Sequence, residues 1–243
     1  MESSSSESSP ARRRYDSSRR QADARARQRR VVDAARELFL QRGYGTTTMD
    51  DIAEAADVSV QFVYAAFESK AGILSRVVDV AIAGDDAELL VLERPEIREI
   101  TAEPDASKRL RALVHMLRLA HERAAPLFEL VDTARGGDPA LAALADKLDA
   151  ATRHDARVTI DALPTNALRR DLTRDEAADL LFVVASPRNW TALVERCQWT
   201  PEQYEARMTD LFSRLLLRET DLKPASLPRR RSRRPQSGAA ASD

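Results

Sequence analysis

Between residues 24 and 42 apolar side chains recur at i+3, i+4 and i+7, with Val31, Val32, Ala35, Leu38 and Phe39 sharing one side of a 3.6-residue period. The spacing predicts an amphipathic helix. Gly43 and Gly45 end it, since glycine suits the left-handed turn past a helix C-terminus. Thr48 opens a second helix over 49–56, because Asp51 three residues on can complete a capping box. Ile52, Ala53 and Ala56 form its inner face. Asp57 and Val58 make a tight turn to Ser59, the N-cap of a third short helix over 60–66 that Phe67 and Glu68 close. Ser69 caps a fourth helix, with Leu74, Val77, Val78 and Ala81 inward, expected to run to about Leu92.

Pro95 and Pro104 among charges mark 93–106 as a connection. A helix follows from Ser107, broken at Pro126, and a shorter one runs over 127–133. Asp138 followed by Pro139 starts another, reaching about Asp161. Thr173 with Glu176 boxes the next, which Pro187 breaks, leaving a short helix over 189–198. Thr200, Pro201 and Gln203 cap a last helix over 202–219. The count is nine or ten helices and no strand, an all-α chain.

Composition agrees with that class. Aromatics are 5% of 243 residues and glycines number seven, too few for a sandwich or barrel. One cysteine, Cys197, excludes an internal disulfide framework and a multi-thiolate metal site, and it reads as a buried structural residue. No apolar run approaches the roughly 18 residues of a membrane span, and MESSSSESSP has no apolar signal-peptide core. The expectation is a soluble cytoplasmic protein with no membrane partner.

Charge changes the picture more. The formal net charge of −1 hides two basic ends on an acidic body: residues 1–30 carry nine arginines against four acids, and 229–243 five against one. Such ends suit a polyanion, nucleic acid foremost, or else serve as solubilising tails. Residues 1–22 and 221–243 lack apolar periodicity and read as disordered basic tails.

The stretch 48–67 carries the function. Two short capped helices joined by a turn of three to four residues need a third across their backs, and 24–42 supplies it. That is the helix-turn-helix arrangement, whose second helix fits the major groove, although helical hairpins of this spacing also occur in bundles. Side chains narrow the choice. Arg42-Gly43-Tyr44-Gly45-Thr46-Thr47-Thr48, Asp51 to Ser59, and Val63-Tyr64 with Phe67 to Leu74 closely resemble the TetR family of bacterial transcriptional regulators, over about 55 residues and nearly without gaps. The resemblance implies a three-helix DNA-binding domain over 23–70 and a larger helical ligand-binding and dimerisation bundle over 71–220.

It also implies roles. Thr47, Thr48, Tyr64 and Lys70 occupy positions that meet DNA phosphates, and Val60, Gln61 and Phe62 the start of the recognition helix, where base edges are read. Three positions depart from the family pattern. Asp57 replaces a turn glycine, and aspartate tolerates the left-handed conformation. Phe62 replaces a small hydroxyl residue and offers an apolar contact to a thymine methyl, or a place in the core. Ala66 stands where a histidine is common. Residues 25–75 balance seven bases against seven acids, so helix N-termini and the arginines of 12–30 must supply the missing attraction.

No catalytic or metal constellation emerges, and no cofactor is expected. His115, Arg118 and Glu122 share a helix face as a surface ion pair would. The apolar run 180–185, and the stripe Tyr204, Met208, Leu211 and Leu215 widened by Phe212 and Leu216, suit a two-fold interface or a thick monomer core. Residues 107–198 remain for an effector. Met116, Leu117, Phe128 and Val131, with His115, His154 and Trp190 as sparse anchors, suit a small apolar ligand unless they fill one another's space. The expected protein is a homodimeric, ligand-released repressor on palindromic double-stranded DNA at the bacterial nucleoid. The alternative is a helical small-molecule binding protein whose DNA-binding function has weakened.

Overall fold

The computed structural model describes residues 10–85 and 95–221, and the regular elements there are helical apart from one isolated bridge between Leu168 and Leu217. Ten α-helices follow in order: α1 Pro10–Arg42, α2 Met49–Ala55, α3 Val60–Phe67, α4 Lys70–Ala83, α5 Pro95–Ala102, α6 Ala106–Ala134, α7 Pro139–Ala162, α8 Arg174–Val184, α9 Pro187–Trp190 and α10 Pro201–Leu216. A π-helical turn, Thr191–Arg196, continues α9.

The helices form two compact units. One takes in α1 to α4 with Leu119–Asp155; the other takes in Pro95–Arg118 and the chain from Ala156. The core of the first joins Val31, Ala35 and Phe39 of α1 to Ile52 of α2, Val63 of α3 and Leu74, Val77 and Val78 of α4. Leu127, Phe128 and Val131 of α6 and Leu141, Leu144 and Leu148 of α7 belong to the same cluster, so the helix-turn-helix does not stand on three helices alone. Arg123 of α6 ties this unit further, donating from Nε to the Ala81 carbonyl at 2.8 Å and from Nη2 to that of Ile82 at 3.1 Å. These are carbonyls of the last turn of α4, which no later turn satisfies. In the second unit Leu110, Ile160, Leu181, Tyr204, Phe212 and Leu216 are fully buried, and Trp190 meets Tyr204 edge-on at 5.0 Å.

Four elements differ from the expectation. α1 begins at Pro10, inside the stretch expected to be a disordered tail. After that proline, residues 11–30 contain no glycine, proline or β-branched residue, and their arginine and alanine favour helix once 31–42 is anchored. α4 stops at Ala83, where Gly84 takes φ +87° and its N–H bonds the Val80 carbonyl; the expected continuation past 85 lies outside the described residues. A helix, α5, occupies part of the expected connection, with Pro95 in its first position. Pro126 lies inside an unbroken α6. The missing backbone bond costs about 3 kcal/mol, but Ala124, Ala125, Leu127 and Phe128 around it are all buried, and burying one large apolar side chain is worth about 1.5–3 kcal/mol.

All three expected capping boxes form, Thr48 with Asp51, Thr173 with Glu176 and Thr200 with Gln203. Hydrogen bonds from the Thr48 hydroxyl and amide hold the Asp51 carboxyl below its ordinary range, and the Thr173 amide and hydroxyl do the same for Glu176. Their contribution to stability is therefore present above the unfolded carboxylate value and is lost as pH falls through the depressed folded values. Acid titration followed by far-ultraviolet circular dichroism should show helix loss beginning below about pH 4. An Asp51→Asn/Glu176→Gln variant should be less stable at neutral pH and show a shallower acid limb.

Candidate nucleic-acid interface

The tight turn between α2 and α3 is built from backbone bonds. The Asp57 amide donates to the Glu54 carbonyl at 3.1 Å and the Val58 amide to that of Ala53 at 3.0 Å. Asp57 takes φ +51°, the left-handed conformation that a glycine would adopt at least cost and an aspartate tolerates. The Ser59 hydroxyl then accepts from the Phe62 amide at 3.2 Å and starts α3. Only Val63 of α3 is fully buried, and the helix presents its other face outward: Gln61 is exposed and Tyr64 is 52% exposed. A phenol held that far out is not filling the core.

The loop before α2 is different. Thr47 is 1% exposed and its hydroxyl donates to the Gly43 carbonyl at 2.9 Å. Thr48 is exposed, yet its hydroxyl donates to the Asp51 carboxylate at 2.6 Å and accepts the Asp51 amide at 3.1 Å. Lys70, at the start of α4, turns inward over this loop. Its Nζ donates to the carbonyls of Tyr44 and Thr47, each at 2.8 Å, and lies 4.2 Å from the centre of the Tyr44 ring. The Tyr44 ring stacks obliquely on Phe39 at 5.5 Å, and burial, with Asp138 adding, pushes its phenol up to about 12. Two of the three ammonium protons of Lys70 thus serve the loop's backbone.

Phe62 and Val60 are half-buried and pack against the core. The Phe62 ring is covered from α1, where the guanidinium carbon of Arg27 sits 4.8 Å from its centre. One turn on, Arg30 donates from Nη2 to the Asp57 carbonyl at 3.2 Å, bracing the turn from outside. The family pattern points to neither arginine as a site residue; the signal for them is the charge excess of 12–30 and their three-residue spacing, which puts both on one side of α1.

Helices α1 to α3 thus hold a short, braced helix pair on the back of a longer one, with polar and aromatic side chains presented from the second of the pair. Residues 31–77 match the sequence profile of the bacterial regulatory proteins, tetR family. This N-terminal domain belongs to the tetR family. No curated protein matches the chain. Solved structures similar to it include SmeT in complex with triclosan, at 17% identity and a TM-score of 0.62 over 85% of this chain and 99% of that one. A protein of Saccharomonospora viridis in complex with choline matches at 20% identity and 0.58, over 79% and 98%. NalD of Pseudomonas aeruginosa, the secondary repressor of the MexAB-OprM multidrug efflux pump, matches at 19% and 0.57, over 79% and 97%. At those identities the likeness is one of fold, and the fold is that of tetR-family transcriptional regulators.

The residues expected to line an effector pocket divide between the units. Phe128 and Val131 are buried in the core of the first, and His154 there is exposed. In the second unit Trp190 is buried against Tyr204, Met116 and Leu117 are half-buried, and His115 is exposed. His115 Nδ1 and Arg118 Nε both bond the Glu205 carboxylate of α10, at 3.0 and 3.1 Å. A cleft of about 970 Å³ lies within the first unit, walled by Arg25, Arg29 and Val32 of α1 and by Phe67, Arg76 and Val80. None of the seven expected pocket residues lines it. Cys197, expected to be buried, is exposed because the π-helical turn ends there and turns it outward. Among the described residues no cluster of histidine, cysteine and acidic side chains could hold a metal ion, and no helix is long and apolar enough to cross a membrane.

Proposed function

We propose that the protein is a transcriptional repressor that binds a palindromic operator as a homodimer and releases it when a small apolar effector binds. The outward face of α3, with Gln61 and Tyr64 exposed on a helix anchored by Val63, carries the reading. A helix so mounted can lie in a major groove with Gln61 toward base edges and Tyr64 toward a phosphate. Thr47, Thr48 and Lys70 then act by shaping the loop that leads into α2, while Val60 and Phe62 set how α3 lies. Nothing in this reading requires catalysis or a cofactor, and its place of action is the bacterial cytoplasm, at the nucleoid.

Val183 of α8 and Leu211 of α10 support the dimer: they are 62% and 44% exposed, while Leu181, Tyr204, Met208, Phe212 and Leu216 on the same two helices are buried. Two apolar faces on adjacent helices suit a two-fold partner. The effector must favour one spacing of the DNA-binding domains to release the operator. Mobility shift of the protein's own promoter fragment, with sedimentation at micromolar concentration, tests the reading. A dimer that shifts the fragment is expected. Val183→Asp/Leu211→Asp should sediment as a monomer and bind operator at least tenfold more weakly. Gln61→Ala should relax preference at one or two base pairs by about 1–3 kcal/mol, and Tyr64→Phe should weaken all sequences alike. A monomer that leaves the fragment unshifted sinks the proposal and favours a small-molecule binding protein.

A further inference from the structure

α1 continues far beyond the domain it supports. Among its described side chains the first buried one is Val31, and all of 20–30 are exposed apart from the half-buried Ala24. From Pro10 to Arg30 the helix is long enough, at 1.5 Å per residue, to reach about 30 Å, on the order of one turn of duplex DNA. Nothing in a small core calls for such a projection.

Its charge says what could use it. Residues 1–30 hold nine arginines against four acids, whereas 25–75 are balanced. The arginines divide by face. Arg25 and Arg29 line the cleft shared with Arg76, where Asp33, Glu68 and Asp85 also stand, so that side is electrically mixed. Arg27 lies on the side that meets α3, stacked on Phe62, and Arg20, seven residues earlier, shares its helical face. Stacking occupies the flat face of a guanidinium and leaves its edge for hydrogen bonds; Nε of Arg27 donates to the Asp23 carbonyl at 3.3 Å, and its Nη groups can reach phosphate oxygens. Phe62 is the second residue after the N-terminal residue of α3, so the stack puts a cation beside the part of the recognition helix that meets the groove. Arg30 on the Asp57 carbonyl ties α1 to the turn between α2 and α3.

We propose that the exposed stretch of α1 over 20–30 is a second DNA-contacting surface, on which Arg20 and Arg27 bind backbone phosphates flanking the half-site that α3 reads, with Phe62 holding Arg27 in place. The proposal rests on the DNA-binding reading of α3 and extends it to duplex outside the half-site. It gives Phe62, a departure from the family pattern, a positioning role through Arg27.

The test uses the full chain on two duplexes: the operator trimmed to its half-sites, and the same operator with about ten further base pairs on each side. The parent should bind the longer duplex at least tenfold more tightly. Arg20→Gln/Arg27→Gln should bind both duplexes alike, and its log K against log salt should be shallower by about 3–4, since the dimer loses four arginines and each phosphate no longer neutralised takes about 0.9 off the slope. Its preference for operator over a scrambled core should stay as in the parent, which a merely misfolded domain would not allow. Phe62→Leu, which keeps an apolar side chain but removes the ring, should abolish part of the flank effect, and Phe62→Tyr should restore it. A parent that binds the operator but is indifferent to flanks, or a double variant with an unchanged slope, overturns the proposal alone. A parent that binds neither duplex overturns the DNA-binding reading with it.

Discussion

Lys70→Met is expected to destabilise the first unit by about 2–3 kcal/mol while leaving the salt dependence of DNA binding unchanged. The position matches a family lysine that meets phosphate, so the two halves of this prediction separate two roles. Here the ammonium donates to the Tyr44 and Thr47 carbonyls at 2.8 Å and lies over the Tyr44 ring. A hydrogen bond from a charged donor is worth about 1.5–3 kcal/mol, and a carbonyl deprived of its donor costs about 1–3 kcal/mol when buried. Lys70 is only half-buried, so water can replace it in part and the sum of those figures is too large. Methionine keeps most of the stem's packing, which confines the effect to the ammonium. Thermal unfolding of the full chain measures the first half, and operator affinity across a salt series the second. A slope lower by about two, the signature of one phosphate released by each protomer of the dimer, would put Lys70 on DNA and not on the loop.

Gly72→Ala should cost about 3 kcal/mol, although glycine to alanine inside a helix ordinarily gains about 1 kcal/mol. A Cβ on Gly72 would stand 2.3 Å from the Phe67 carbonyl oxygen, a distance no carbon–oxygen contact tolerates. That oxygen cannot retreat cheaply: it accepts the Ser69 amide at 2.6 Å and is followed by Glu68 at φ +61°. Relief must come from turning the joint between α3 and α4, and overpacking of this kind costs about 1–3 kcal/mol, occasionally more. Because α3 is the proposed reading helix, the variant should also bind operator more weakly at temperatures where it is still folded. Unchanged melting and unchanged binding would mean that the joint is soft, and that the close approach of α4 to Phe67 carries no strain to α3.

Local chemistry marks the helix boundaries well because caps act within one turn. Thr48, Ser59, Ser69, Thr173 and Thr200 each sit where a free amide three residues on needs an oxygen, and all five cap the helices expected of them. The inner faces of α2 and α4 are legible for a similar reason, a period of 3.6 leaving no other side for Ile52 or Val77 to bury. Pro126 and Pro95 mislead because the cost of a proline is local while the burial that outweighs it comes from residues distant in sequence. The basic stretch before Val31 looks like a tail since it has no apolar face, and an exposed helix needs none once a covalently attached helix is anchored.

By itself the sequence determined the all-helical class, the short helix pair at 49–67 and the residues able to present polar side chains from it, since spacing, caps and turn residues settle these within a few positions. Only the tertiary structure decided which way those side chains turn. Thr47 points into the domain, Lys70 folds over the Tyr44 loop, Tyr64 stands outward, and Phe62 carries Arg27. Thr47 bonds Gly43 only four residues before it, but the orientations of Lys70 and Phe62 depend on Tyr44 and on α1, distant in sequence. Such partners are brought together by packing over tens of residues, and no local pattern encodes them.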